Sequence, residues 1–245
     1  MEDKALLSTE EASGAEKAEL LIVIPAYNEA ENIERVVNHL TANFPQYDYV
    51  VVNDGSRDET AAICQRNGYN LLNLPVNLGL AGAFQAGLKY ADKYGYQCAV
   101  QLDGDGQHRP EYLEAMMKKM EEGYDIVIGS RFVGEKKPFT MRMLGSNLIE
   151  MAIRFTTGVN IKDPTSGMRM FSKRMIREFA SGLNYGPEPD TVSYLIRQGA
   201  RVAEVPVIMD ERILGVSYLT PVNAMRYMLK MLISILLIQN FRKRR

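Results

Sequence analysis

The chain has 245 residues, 46% hydrophobic and 24% charged, with a formal net charge of −1. That length supports one large domain with a full core, and the near-neutral balance leaves no electrostatic footprint for nucleic acid. The two cysteines, Cys64 and Cys98, lie far apart in helix-like and strand-like sequence. They suggest neither a disulfide framework nor a metal spacing, and fit a reducing compartment.

Residues 1–19 are polar and glutamate-rich, lack the basic start and apolar core of a signal peptide, and read as a mobile tail. Leu20-Leu-Ile-Val-Ile24 is a continuous apolar run that predicts a buried first strand, ended by Pro25. Ile33, Val36, Val37 and Leu40 then recur three and four apart and predict a helix with one buried face. Tyr49-Val-Val-Val52 predicts the second strand and Asn53-Asp-Gly-Ser56 its exit turn. Ser56 is placed to cap the next helix, with Glu59 as its capping-box partner. Leu71-Leu-Asn-Leu74 predicts a third strand, and a small-residue loop from Asn77 feeds a helix through Gly87 and Tyr90.

A fourth strand, around Ala99, Val100 and Leu102, runs into Asp103-Gly-Asp-Gly106. The two carboxylates then sit at the carboxyl end of a strand, where open α/β sheets bind ligands. Alternate carboxylates beside glycines can converge on one hard divalent cation. The same four residues also suit a solvated turn. Pro110 opens the next helix, and Ile126-Val-Ile128 predicts a fifth strand leading to Gly129-Ser-Arg131. Strand–helix alternation of this kind argues an α/β fold with a mostly parallel sheet flanked by helices.

Beyond residue 131 the pattern loosens. Residues 134–138 form a polar, lysine-bearing flap, and a helix is expected over 141–155. Asp163-Pro-Thr-Ser-Gly167 is a turn before a strand at Met168-Arg-Met-Phe171. Helices around 172–180 and 189–198 and a last strand over 202–209 complete the series.

Several of these segments occur in a telling order: Ile24-Pro-Ala-Tyr-Asn-Glu-Ala-Glu-Asn32, Val52-Asn-Asp-Gly-Ser-Arg-Asp-Glu-Thr60, Asn77-Leu-Gly-Leu80, Leu102-Asp-Gly-Asp-Gly-Gln-His108, Gly129-Ser-Arg131 and Asp163-Pro-Thr-Ser-Gly167. Together they resemble family 2 glycosyltransferases of the GT-A (Rossmann-like) fold. Within that family they resemble the branch of dolichol-phosphate mannose synthase and bacterial polyprenyl-phosphate sugar transferases. The resemblance implies a nucleotide-sugar donor site in which Pro25, Tyr27 and Glu29 line the base and ribose pocket and Asp54 contacts base or ribose. It implies that Asp103 and Asp105 hold Mg2+ or Mn2+, with Gln107 completing the shell. It also implies phosphate contacts from Arg131, and from Arg212 and Ser217 of Arg212-Ile-Leu-Gly-Val-Ser217. The family often carries lysine after that serine, where this chain has Tyr218. On this reading Asp105, Asp163, Arg131 and Arg212 form the catalytic group, with Asp163 orienting acceptor or sugar. His108 is weighed as a further metal ligand against a hydrogen-bonding role.

The resemblance divides the chain into a tail (1–19), a GT-A catalytic domain (20–212) and an amphipathic C-terminal segment with a basic end (213–245). In that last segment Met225, Met228, Leu229, Leu232, Ile233, Leu236 and Leu237 recur at helical spacing, and Phe241-Arg-Lys-Arg-Arg245 is cationic. The apolar part is too short to span a bilayer, and an amphipathic helix with a basic end suits the cytoplasmic face of an anionic membrane. A small membrane-protein partner or self-association would complete such a surface.

The expected activity is inverting transfer of a hexose or N-acetylhexosamine to polyprenyl (undecaprenyl) phosphate, for cell-wall or surface glycan modification. UDP-glucose or UDP-N-acetylglucosamine is favoured over GDP-mannose as donor. Transfer to a saccharide hydroxyl, as in capsule or exopolysaccharide assembly, is the alternative. A polymerising synthase is disfavoured, because the chain has no Trp and lacks the Gln-x-x-Arg-Trp motif.

Overall fold

The computed structural model describes residues 19–135, 137–138, 140–181, 186, 188–210 and 221–240. The expectations placed on residues 1–18, on Arg212 and Ser217, and on the basic end at 241–245 lie outside the described residues. In chain order the elements are β1 (Leu20–Ala26), α1 (Ile33–Asn43), β2 (Asp48–Asn53), α2 (Thr60–Arg66), β3 (Leu71–Asn73), α3 (Gly79–Tyr94), β4 (Cys98–Gln101), α4 (Leu113–Glu121), β5 (Ile126–Ser130), α5 (Met141–Thr157), β6 (Arg169–Ser172), α6 (Lys173–Ser181), α7 (Pro189–Arg197), β7 (Val202–Pro206) and α8 (Pro221–Leu236).

The apolar runs become strands because both faces of the sheet are covered. All seven residues of β1 are buried, and their side chains alternate between two cores. Leu21 and Val23 pack with α3, α5 and α6 residues such as Phe84, Ile153 and Phe179. Leu20, Ile22 and Ile24 pack with Ile33, Leu40 and Met116 on the other face. The seven strands lie in the order β3-β2-β1-β4-β6-β5-β7. Every pairing is parallel except those of β6, which runs antiparallel to both β4 and β5.

Local details depart from the sequence expectations. Ser56 does not cap α2; its Oγ accepts from Asn28 N at 3.0 Å, across the loop. The start of α2 is held by Asp58, whose Oδ1 accepts from Thr60 N at 3.0 Å, with Glu59 at the N-cap position. Pro110 opens a short 3-10 turn ahead of α4, and β7 stops at Pro206, short of residue 209. Glu19, expected in the tail, already joins the sheet through its carbonyl, which accepts from Cys98 N at 2.9 Å. Both cysteines are buried thiols, and burial, with Glu19 nearby, pushes Cys98 up to about 12. Neither is poised as a nucleophile.

The C-terminal helix is part of the core on one side only. Met228, Met231 and Ile235 of α8 are buried in the same cluster as Ile149 and Ile153 of α5. The opposite side leaves Met225, Leu229, Ile233, Leu236 and Leu237 exposed. Beside it, α5 exposes Leu144, Leu148, Met151 (66%) and Phe155 (86%), spaced four, three and four residues apart along one face. No helix among the described residues is long and apolar enough to cross a membrane.

Where α3 crosses β1 the contact requires glycine. A Cβ on Gly87 would stand 2.2 Å from Val23 Cγ1. Gly87→Ala should therefore overpack the centre of the sheet and lower stability by about 1–3 kcal/mol, despite alanine's better helix propensity. Urea denaturation would measure this, and a neutral or stabilising effect would show that the strand can move away.

Candidate active site

The sheet order reverses direction between β1 and β4, so the loops leaving these two strands diverge and open a crevice. A cavity of about 360 Å³ fills it, lined by Pro25, Tyr27, Glu29, Asp54, Asp103 and Asp105, with Asn77, Gly79 and Leu80 along one side. Six residues expected to bind donor or cation thus share one cleft.

Its walls are built by hydrogen bonds between loops. Asn28, the only non-glycine residue with positive φ among those described, receives Arg57 N on its Oδ1 at 2.9 Å. Glu29 N donates to Thr60 Oγ1 at 2.9 Å, and Ala30 N to Asp58 Oδ2 at 3.1 Å. The loop after β1 is thereby fastened to the loop after β2. Asp54 is buried and holds the third wall: Leu78 N donates to its Oδ1 at 2.7 Å and Asn77 Nδ2 to its carbonyl at 3.1 Å. Its first duty is thus to shape the pocket.

The acidic loop is equally fixed. Gln101 Nε2 donates to Asp103 Oδ1 at 2.7 Å. Asp103 N donates to Nδ1 of buried His108 at 3.0 Å, which leaves Nε2 as the protonated nitrogen, 3.6 Å from Asp103 Oδ2. His108 thus acts from behind the loop as a hydrogen-bonding residue. Gln107 N donates to Asp105 Oδ1 at 3.0 Å, and Arg35 Nη2 to the Asp105 carbonyl at 3.1 Å. Gly106 has φ +79°, a conformation that favours glycine, and a Cβ there would displace the end of the Arg35 side chain. Gln107 turns its amide to the Asp210 carbonyl at 3.2 Å, and to ligate a cation it would have to give up that bond. Arg109 pairs with the Asp210 carboxylate and holds it below its usual range.

No group of three His, Cys, Asp or Glu side chains able to hold a metal occurs among the described residues. Two hard oxygen donors on alternate residues nevertheless fit a cation such as Mg2+ or Mn2+, which keeps waters and takes phosphate oxygens from a substrate. The donor set therefore fits the expected group, with Asp103 and Asp105 as the protein's share.

Arg131 and Asp163 meet each other rather than the cleft. Arg131 Nε donates to Asp163 Oδ2 at 2.7 Å and Nη2 to Oδ1 at 2.9 Å, and Arg131 N adds a third bond at 3.2 Å. The Asp163 side chain is fully buried, and its own N–H donates to Glu204 Oε1 at 2.8 Å. Both carboxylate oxygens are thus occupied, and in this arrangement Asp163 orients Arg131 and does not itself face an acceptor. Arg212 and Ser217 lie outside the described residues. The residues that sequence reasoning missed are Gln101, two positions before Asp103 at the end of β4, and Arg35 and Asp210, which act on the acidic loop from other segments. Nothing in their local sequence marks them.

A crevice at the switch point of an α/β sheet, lined by a carboxylate pair whose oxygens suit a divalent cation, is the kind of site at which such folds bind nucleotides. The model of the family described as "Glycosyl transferase family 2" matches residues 21–179, and the chain belongs to that family. A polyprenol monophosphomannose synthase from Mycolicibacterium smegmatis is 32% identical over 223 residues, covering 86% of this chain and 84% of that one. An undecaprenyl-phosphate mannosyltransferase from Micrococcus luteus is 31% identical over 210 residues, covering 81% and 86%. Among solved structures, glucosyl-3-phosphoglycerate synthase from Mycobacterium tuberculosis, in complex with Mn2+, UDP-glucose and phosphoglyceric acid, superposes with a TM-score of 0.67 at 18% identity. That match covers 91% of this chain and 80% of the other, and shows the shared GT-A fold. The protein is a glycosyltransferase.

The buried pair yields a stability prediction. Arg131→Ala would leave Asp163 enclosed without a counter-charge and should cost about 3–5 kcal/mol. Arg131→Lys should recover only part, because an ammonium cannot make the paired bonds of the guanidinium. Chemical denaturation reads both; a loss below about 1 kcal/mol for the alanine variant would mean that water reaches Asp163.

Proposed function

We propose that this protein transfers a hexose from a nucleotide-diphosphate sugar to a polyprenyl phosphate at the cytoplasmic face of a membrane, with inversion at the anomeric carbon. The observation that carries the reading is the crevice in which Tyr27, Glu29 and Asp54 stand beside Asp103 and Asp105. It offers a nucleoside wall and a diphosphate anchor in one space. The names of the two relatives support a polyprenyl-phosphate acceptor. They also name mannose, so the sequence-based preference for UDP-glucose or UDP-N-acetylglucosamine gives way to a mannosyl donor as the first to be tried.

A divalent cation bound by the carboxylate pair would neutralise charge on the leaving diphosphate. Asp103 and Asp105 are held ready for it by Gln101, His108 and Gln107. The buried state of Asp163 favours a phosphate acceptor over an alcohol. An alcohol needs a general base, whereas a phosphate monoester, with a second pKa of about 6, arrives already charged. Asp163 then serves by aiming Arg131, and Arg212 and Ser217 remain the proposed acceptor-side contacts. The exposed stripe on α5 and α8, bordered by Arg154, Arg226 and Lys230, supports attachment to an anionic membrane surface.

Two experiments test this. Labelled GDP-mannose, UDP-glucose and UDP-N-acetylglucosamine are each incubated with short polyprenyl phosphate, and lipid is extracted into chloroform. The expected result is chloroform-soluble label that requires Mg2+ or Mn2+ and drops about 100-fold or more in Asp105→Asn. Water-soluble glycan instead would assign a saccharide acceptor, and full activity of the variant in chelator would remove the cation from the site. In the second experiment the protein is floated with vesicles containing anionic lipid. Wild type should rise with them. Phe155→Ser combined with Leu229→Ser should bind at least about tenfold more weakly, each side chain contributing about 1.5–3 kcal/mol when buried. A wild type that ignores the vesicles and runs as a dimer would assign the stripe to self-association.

A further inference from the structure

A second cavity, of about 250 Å³, lies beyond the acidic loop, with Leu80 in its wall as in that of the crevice. Its polar lining is Gln101, Thr165, Ser166, Arg169, Glu188 and Tyr227. None of these residues has a role in the function as drawn so far beyond the bond of Gln101 to Asp103. The cavity nonetheless touches the acidic loop twice. Gln101 donates to Asp103 Oδ1 at 2.7 Å, and the Cα of Gly167, which also lines the cavity, lies so close that a Cβ there would be 3.2 Å from Asp103 Oδ2. The space therefore adjoins the acidic loop through Gln101 and Gly167, and shares Leu80 with the crevice in which a diphosphate would be anchored.

The chemistry of the lining selects the kind of occupant. Arg169 and Glu188 bring one positive and one negative charge, so the cavity carries no surplus that would favour a phosphate. Arg169 is buried and donates through Nη2 to the Pro164 carbonyl at 2.8 Å. Tyr227 OH donates to Glu188 Oε2. Burial first, and the Glu188 charge next, raise the Tyr227 phenol above its ordinary value and keep it a donor. One Glu188 oxygen is thus committed to Tyr227, and the carboxylate as a whole is oriented. The remaining walls, Leu80, Ala81 and Met228, are apolar. Uncharged overall, rich in fixed hydrogen-bonding groups and backed by an apolar wall, the space matches a neutral ring carrying several hydroxyls.

We propose that this cavity is the sugar compartment of the donor site, and that Glu188, aimed by Tyr227, reads the configuration of the sugar's hydroxyls. The assignment rests on the donor reading above and adds to it the residues that decide which hexose is accepted. A carboxylate receiving a sugar hydroxyl discriminates strongly against the epimer that cannot offer it, because the buried acceptor is then left unmatched. Gln101 couples the compartment to the cation site, since the same side chain forms its floor and steadies Asp103.

The test compares donors that differ at one hydroxyl, GDP-mannose against GDP-glucose and UDP-glucose against UDP-galactose, by kcat/KM with wild type, Glu188→Gln and Tyr227→Phe. Free GDP and UDP are titrated as competitive inhibitors. Wild type should prefer one epimer. Glu188→Gln should shrink that preference about tenfold or more while leaving the inhibition by free nucleotide unchanged. Tyr227→Phe, which keeps the packing of α8 and frees Glu188 to turn, should shrink it in the same direction and keeps the test alive if Glu188→Gln does not fold. An unchanged epimer ratio in the folded variants, or an equal loss for every donor and for free nucleotide, would overturn the sugar compartment while leaving the donor crevice intact. A wild type that neither uses nor binds any nucleotide sugar would remove the donor reading and this inference together.

Discussion

Because β6 runs against its neighbours β4 and β5, the segment leading into it arrives at the same end of the sheet as the segments leaving them. That single reversal delivers residues 163–167 to the carboxyl ends of two parallel strands. Asp163 can then bond Arg131 just beyond β5, Ser166 Oγ can donate to the Gly129 carbonyl at 2.5 Å, and Gly167 can press against Asp103. A parallel strand in the same place would have sent this turn to the far edge of the sheet. The cleft would then have kept the wall of Tyr27, Glu29 and Asp54 and lost the wall between the acidic loop and the second cavity.

Charge is handled differently at the two ends of this arrangement. Around Arg131 it is buried and matched: a guanidinium bonded twice to a carboxylate, whose backbone N–H is in turn held by Glu204. Such a pair adds little net stability over an apolar substitute, but it cannot be broken cheaply and so fixes geometry. At Asp103 and Asp105 two like charges face one cleft, two and four chain positions beyond the end of β4. Gln101 Nε2 donates to Asp103 Oδ1 and Gln107 N to Asp105 Oδ1, and the His108 imidazole stands 3.6 Å from Asp103 Oδ2. Donors of this kind orient carboxylates without neutralising them, which preserves their attraction for a cation.

The features legible in the sequence are those encoded by consecutive residues. Buried strands announce themselves as apolar runs, as in β1, β2 and β5, and the acidic loop stands out because its carboxylates and glycines adjoin. Strand direction is not encoded in that way: Met168-Arg-Met-Phe171 reads as a strand, but its reversal follows from the length of chain between β5 and β6 and from which neighbours remain unpaired. Ser56 shows the same limit on a smaller scale. Its local context suits a helix cap, yet the nearest N–H needing an acceptor is on Asn28, 28 residues earlier. Asp163 was visible as a special residue, but only the fold reveals that both its oxygens are taken by Arg131. Gln101, Glu188 and Tyr227 come from three distant segments with ordinary local sequence, so nothing short of the fold could bring them together.

The position of α8 links these sites to the outer surface of the molecule. Along one side the helix sends Tyr227 and Met228 into the second cavity, and Ser234 Oγ donates to buried Asp190 at 2.6 Å. Glu188 and Asp190 stand at the start of α7, two residues apart, so the same short segment meets both Tyr227 and Ser234. Along its other side α8 continues the exposed apolar stripe of α5. One helix is therefore at once a wall of the polar cavity and a part of the apolar face. In a transferase that joins a water-soluble sugar to a lipid phosphate, those two surfaces must lie within the reach of one acceptor molecule, whose head group is polar and whose tail is not. On the proposed function α8 brings those surfaces together, because it lines the polar cavity with Tyr227 and Met228 on one side and leaves Met225, Leu229 and Ile233 exposed on the other.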